Sequence, residues 1–68
     1  MKLKGEFTRP ECEFFREQCN FTQEERQVFD LRTAGESYVA ISMKLHMSEA
    51  TVKRRIRSIK NKILRVLV

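Results

Sequence analysis

Residues 37–57 read SYVAISMKLHMSEATVKRRIR, and the spacing within this stretch decides the fold. Ser37 is a helix-capping residue, and Val39, Ile41 and Leu45 give the segment after it an apolar side, so a helix of about two turns runs to Leu45. His46-Met47-Ser48 is then too short for anything but a tight turn. Ser48 starts a second helix whose apolar residues Val52, Ile56, Ile59, Ile63 and Val66 keep a four-then-three spacing. Two helices joined by so short a turn cross steeply only if the residue at the crossing is small and the turn permits an unusual backbone conformation. Ser42 supplies the small residue, and Ile41, Leu45, Met47 and Val52 form the apolar wedge between the helices. The spacing fits a helix-turn-helix from Tyr38 to about Arg57. His46 occupies the turn position where glycine is usual, and because histidine tolerates positive φ, slight strain is expected there.

Working outward, the chain has only Gly5, Gly35 and Pro10 as breakers and no sustained alternating pattern, so it reads as all helix with short connections. Residues 1–8 form a loose lead-in ending at Thr8, a helix N-cap, with Pro10 tolerated in the first turn that follows. The first helix runs to about Cys19, with Cys12, Phe15 and Cys19 on one face, Phe14 beside them, and Asn20 as a stop. Thr22 and Glu25 form a capping box that opens the next helix; Val28, Phe29 and Leu31 supply its apolar contacts, and Gly35 ends it. The expected fold is an all-α small bundle of about four helices, one domain over 9–68, with a long C-terminal helix.

With 68 residues the core is thin and there is little room for a cleft. No stretch approaches the roughly 18 apolar residues of a membrane span, and the amino end lacks the apolar core of a signal peptide, so a cytoplasmic protein is expected. Cys12 and Cys19 lie two turns apart on one helix, roughly 10 Å and beyond disulfide reach. They read as reduced core thiols. With His46 they fall short of the roughly four ligands zinc needs, so no metal or cofactor is expected. No nucleophile-base pair, carboxylate pair or phosphate loop is present, which speaks against an enzyme.

The net charge of +5 is unevenly distributed. Residues 1–49 carry seven bases against nine acids, whereas residues 50–68 carry seven bases and no acid. A near-neutral body with a basic rod at its end points to a polyanionic partner, because neutralising phosphates releases condensed counterions. With the isoleucine stripe turned inward, the opposite side of the last helix carries Ala50, Arg54, Arg57, Ser58 and Asn61, with Lys53 on its flank. Such a helix reads bases mostly from its N-terminal turns, so Glu49, Ala50, Lys53, Arg54 and Arg57 are the candidates for base edges. Ser48, Thr51, Tyr38, Arg55 and Asn61 are the candidates for backbone phosphates, and Lys60, Lys62 and Arg65 face phosphate or solvent. The expected partner is double-stranded DNA within the nucleoid.

The run Phe21-Thr22-Gln23-Glu24-Glu25-Arg26-Gln27-Val28-Phe29-Asp30-Leu31, then Ala34-Gly35-Glu36-Ser37, Ile41-Ser42, Leu45 and Ser48-Glu49-Ala50-Thr51-Val52-Lys53, resembles the LuxR-type (GerE-like) DNA-binding domain. Ile59, Lys62 and Ile63 continue the likeness, which covers about residues 21–63. Ser37-Tyr38, Thr51-Val52-Lys53 and Arg55-Ile56 are also similar to region 4 of bacterial sigma factors, and the helix before Phe21 fits that architecture better. The first resemblance implies a transcription regulator that binds specific double-stranded DNA, with the helix over 49–66 in the major groove. It also implies that Lys53, Arg54 and Arg57 face the groove while Thr51 and Arg55 hold the backbone. A LuxR-type domain carries a further helix, often used for dimerisation; because the sequence stops at Val68, neither that helix nor a receiver or ligand-binding segment is expected. The second resemblance implies a module that docks on RNA polymerase, for which Phe14, Phe15, Phe21 and the apolar C-terminal end would serve. The residues from Ile63 to Val68 leave more apolar surface than one stripe can bury, and either complete the core or pair two protomers of a homodimer.

Overall fold

Capping chemistry sets the helix boundaries in the computed structural model, which describes residues 7–67. Helix α1 is Arg9–Gln18, α2 is Gln23–Thr33, α3 is Tyr38–Leu45 and α4 is Glu49–Leu67. Thr8 and Thr22 each accept from the backbone N–H three residues on, and Glu11 and Glu25 return the bond to the cap backbone, giving two capping boxes. Ser37 accepts from the Ala40 N–H at the start of α3, and Ser48 from the Thr51 N–H at the start of α4, both at 3.1 Å. The all-α bundle containing a helix-turn-helix is therefore the architecture observed.

Three left-handed residues separate these helices. Gly35 has φ +100, which lets the N–H of Glu36 reach back to the carbonyl of Leu31 and close α2. His46, at φ 54, plays the same part after α3, and Asn20, at φ 53, turns the chain away just after the Cys19 cap of α1. At His46 the backbone N–H of both His46 and Met47 donates to the Ser42 carbonyl, so the helix-turn-helix corner closes on the small residue expected at the crossing. Of the lead-in expected over 1–8, residues 1–6 lie outside the described residues. Phe7 packs its ring edge-on against Phe15, with centroids 4.8 Å apart, and Thr8 caps α1.

Helix α4 is the spine of the bundle: α2 and α3 pack along it, and α1 contacts it as well. Its Val52, Ile56, Ile59 and Ile63 are buried together with Val28 and Phe29 of α2, Ile41 of α3, and Cys12 and Phe15 of α1. Cys19 and Phe21 complete this core, and both cysteines are free thiols. Burying an aliphatic side chain of this size stabilises by roughly 1.5–3 kcal/mol, so the isoleucine stripe ties α4 to all its neighbours. Two apolar side chains depart from expectation. Val39 belongs to the expected apolar side of α3 and Phe14 lies beside the packed face of α1, yet both are about half exposed, because each lies at the edge of its stripe and no helix among the described residues covers that edge. Tyr38, Leu45, Met47 and Val66 are partly buried against the core.

Candidate nucleic-acid interface

Packing divides the surface of α4 into an inward stripe, a flank turned to α2 and an outer face. The flank is defined by Arg55, Ser58 and Lys62, spaced i, i+3 and i+7 on one side of the helix. Arg55 donates through Nε to the carboxylate of Glu24. Ser58 donates to Glu25 Oε2 and Lys62 to Glu25 Oε1, each at 2.5 Å. The sequence reading placed Ser58 on the outer face and assigned Lys62 to phosphate or solvent; both instead meet the first turn of α2. Helical spacing within α4 cannot show that α2 covers this flank.

Glu25 is 4% exposed. Burial by itself would raise its carboxyl, but the bonds from Lys62, Ser58 and the Thr22 backbone N–H outweigh that and hold it at about 2. Each buried side-chain polar atom among the described residues has a hydrogen-bond partner.

The outer face carries Ala50, Lys53, Arg54, Arg57 and Asn61, all exposed, with Glu49 exposed at its start. The structure thus brings the five candidate base-reading residues onto the first turns of one helix, and Asn61 onto the same face roughly 18 Å along the axis from Glu49. At the helix start Ser48 donates to Thr51 Oγ1 at 2.9 Å, and Arg54 donates to the same hydroxyl at 3.1 Å. Ser48, Thr51 and Arg54 therefore form one hydrogen-bonded group at the positive end of the α4 dipole. Among the described residues, Lys53, Arg54, Arg57, Lys60 and Arg65 form no salt bridge.

Two of the candidate phosphate residues are already engaged. Arg55 is paired with Glu24, as above. Tyr38 lies under the guanidinium of Arg32, whose carbon sits 4.4 Å from the ring centroid, while Arg32 also donates to the Glu36 carbonyl at 2.8 Å. The pairing roles of Arg32 and Glu24 carry no signal in the sequence. Glu25 carried a signal as the third residue of a capping box, but nothing local indicated its partners on α4, more than thirty residues away.

Two helices closing on a tight left-handed corner, with an exposed basic face on the second that forms no salt bridge among the described residues, define a helix-turn-helix domain of the DNA-binding class. The family model GerE, bacterial regulatory proteins of the luxR family, matches residues 19–64, which take in α2, α3 and most of α4. The chain belongs to the luxR family of bacterial regulatory proteins. A search of curated proteins and a search of solved structures each return no match. The family is one of DNA-binding transcription regulators, not of enzymes, so the LuxR side of the double resemblance is the one shown. Among the described residues no helix is long and apolar enough to cross a membrane.

Proposed function

We propose that this protein is a sequence-specific regulator that lays α4, over residues 49–66, in the major groove of double-stranded DNA. The observation that carries this reading is the division of α4: one side is buried, one flank is neutralised by Glu24 and Glu25, and the outer face presents Lys53, Arg54 and Arg57 without acidic partners among the described residues. Arg54, Arg57 and Lys53 donate to guanine O6 and N7, Glu49 accepts from cytosine N4, and Ala50 touches a thymine methyl. Ser48, Thr51, Tyr38 and Asn61 hold the backbone, and Arg55 joins them by exchanging Glu24 for a phosphate. The protein would act on the nucleoid in the cytoplasm.

Selection of bound sequences from a random duplex pool at stated salt tests binding, specificity and half-site spacing together. Arg54→Ala and Arg57→Ala are each expected to weaken binding to the selected duplex by about 1–3 kcal/mol and relax preference at one position. Unchanged affinity in the folded double variant would overturn the reading. Leu64 and Leu67 leave apolar surface at the end of α4. Sedimentation at micromolar concentration reads whether two copies associate, and a monomer would argue against a two-fold site.

A further inference from the structure

Glu25 is the one buried charged side chain among the described residues, and its carboxylate joins two helices. Oε1 accepts from the Thr22 backbone N–H at 2.9 Å and from Lys62 at 2.5 Å, while Oε2 accepts from Ser58 at 2.5 Å. The Thr22 bond fixes the carboxylate to the first turn of α2, and Ser58 and Lys62 hold it at two points one turn apart on α4. The apolar contacts of the isoleucine stripe are non-directional and resist small rotations of α4 about its own axis only through shape fit. Hydrogen bonds resist them through their angular preference.

That difference matters at the outer face. Side-chain tips lie roughly 5–6 Å from the helix axis, so a rotation of about 20° displaces them by roughly 2 Å. A base-edge hydrogen bond is lost over a smaller distance. A buried ion pair often gains little net stability over apolar side chains of similar volume, whereas the three bonds to Glu25 constrain direction.

We propose that Glu25 is a positioning residue for DNA recognition: through Ser58 and Lys62 it sets the rotation at which α4 presents Lys53, Arg54 and Arg57. The inference rests on α4 being the recognition helix. Its consequence is that specificity, more than affinity for DNA in general, depends on a carboxylate that never touches the nucleic acid.

The test compares the full chain with the double variant Glu25→Gln/Lys62→Met, which removes one charge of each sign and leaves the net charge unchanged. Two probes are used at one salt concentration: a duplex selected by the wild-type protein from a random pool, and a shuffled duplex of the same length and composition. Circular dichroism sets a temperature at which both proteins are folded. Binding to the shuffled duplex is expected to change little, while the ratio of selected to shuffled affinity falls about tenfold, equivalent to losing one base contact. An unchanged ratio in the folded variant would overturn the proposal. Should the double variant not fold, Ser58→Ala removes one of the three bonds and no charge; a smaller fall in the same ratio is expected, and no fall overturns the proposal. A wild-type protein that binds the two duplexes alike instead overturns the recognition-helix reading, and the positioning role with it.

Discussion

The carboxyl of Glu25 titrates at about 2, where an ordinary glutamate titrates at 4.5, and the direction of that shift fixes how stability depends on pH. Burial pushes the group up; the bonds from Lys62, Ser58 and the Thr22 N–H pull it down further. The folded state therefore holds this proton more weakly than the unfolded chain. The stabilisation is fully present above the ordinary glutamate range and is lost as pH falls through about 4.5 towards 2, on the order of 3 kcal/mol in all. Urea midpoints measured from neutral pH down to the acid limit should fall across that window in the wild-type protein. In Glu25→Gln the fall is expected to be shallower by this amount, from a lower starting stability. His46 offers a second residue-scale measurement. It holds φ 54 at the corner of the helix-turn-helix, a conformation unfavourable for a residue with a Cβ by roughly 1–2 kcal/mol, while glycine gives part of this back through the greater freedom of its unfolded state. His46→Gly should therefore stabilise by about 0.5–1 kcal/mol, seen as a rise of a few degrees in Tm.

At the scale of single helices, the residues that begin and end each element were legible, because capping is a contest among neighbours in sequence. Thr8, Thr22 and Ser37 cap where their spacing indicated, and Gly35 and His46 take the left-handed conformations that stop α2 and α3. The inward stripe of α4 was legible for the same reason, since a four-then-three spacing needs only one helix to define it. What lies at the edges of a stripe depends on where a second helix crosses, and no local spacing contains that. Phe14 and Val39 fall on uncovered edges, whereas Ser58 and Lys62 fall on the edge that α2 covers. The candidate base-reading residues were found because they oppose a stripe that could be read; the acidic partners of Arg55 and Lys62 were not, because they belong to another helix. Thr22→Ala measures how far one cap supports this arrangement. It removes the acceptor for the Glu25 N–H at 3.1 Å and is expected to destabilise by about 1 kcal/mol in urea denaturation. Thr8→Ala, at a more exposed cap with a longer 3.4 Å bond, should fall at the low end of the capping range.

For the molecule as a whole, what matters is how many of its positive charges are available to a polyanion. Helix α4 carries seven bases, and composition alone would assign them all to phosphates. The fold withdraws Lys62 into the pair with Glu25 and engages Arg55 with Glu24, leaving Lys53, Arg54, Arg57, Lys60 and Arg65 free of acidic partners among the described residues. Each neutralised phosphate contributes roughly 0.9 to the slope of log affinity against log salt, so the five free bases of α4 contribute about −4.5, where all seven would contribute about −6.3. Arg55 exchanging Glu24 for a phosphate would add one further charge and take the contribution of α4 to about −5.4. Glu24→Gln removes the carboxylate that competes for Arg55 and should steepen the slope by up to about one. The same substitution made in an Arg55→Gln background should leave the slope where it was. Titrations of a shuffled duplex over a range of salt concentrations read all three numbers, and a wild-type slope near the seven-charge value would show that the two ion pairs do not restrain their bases on DNA.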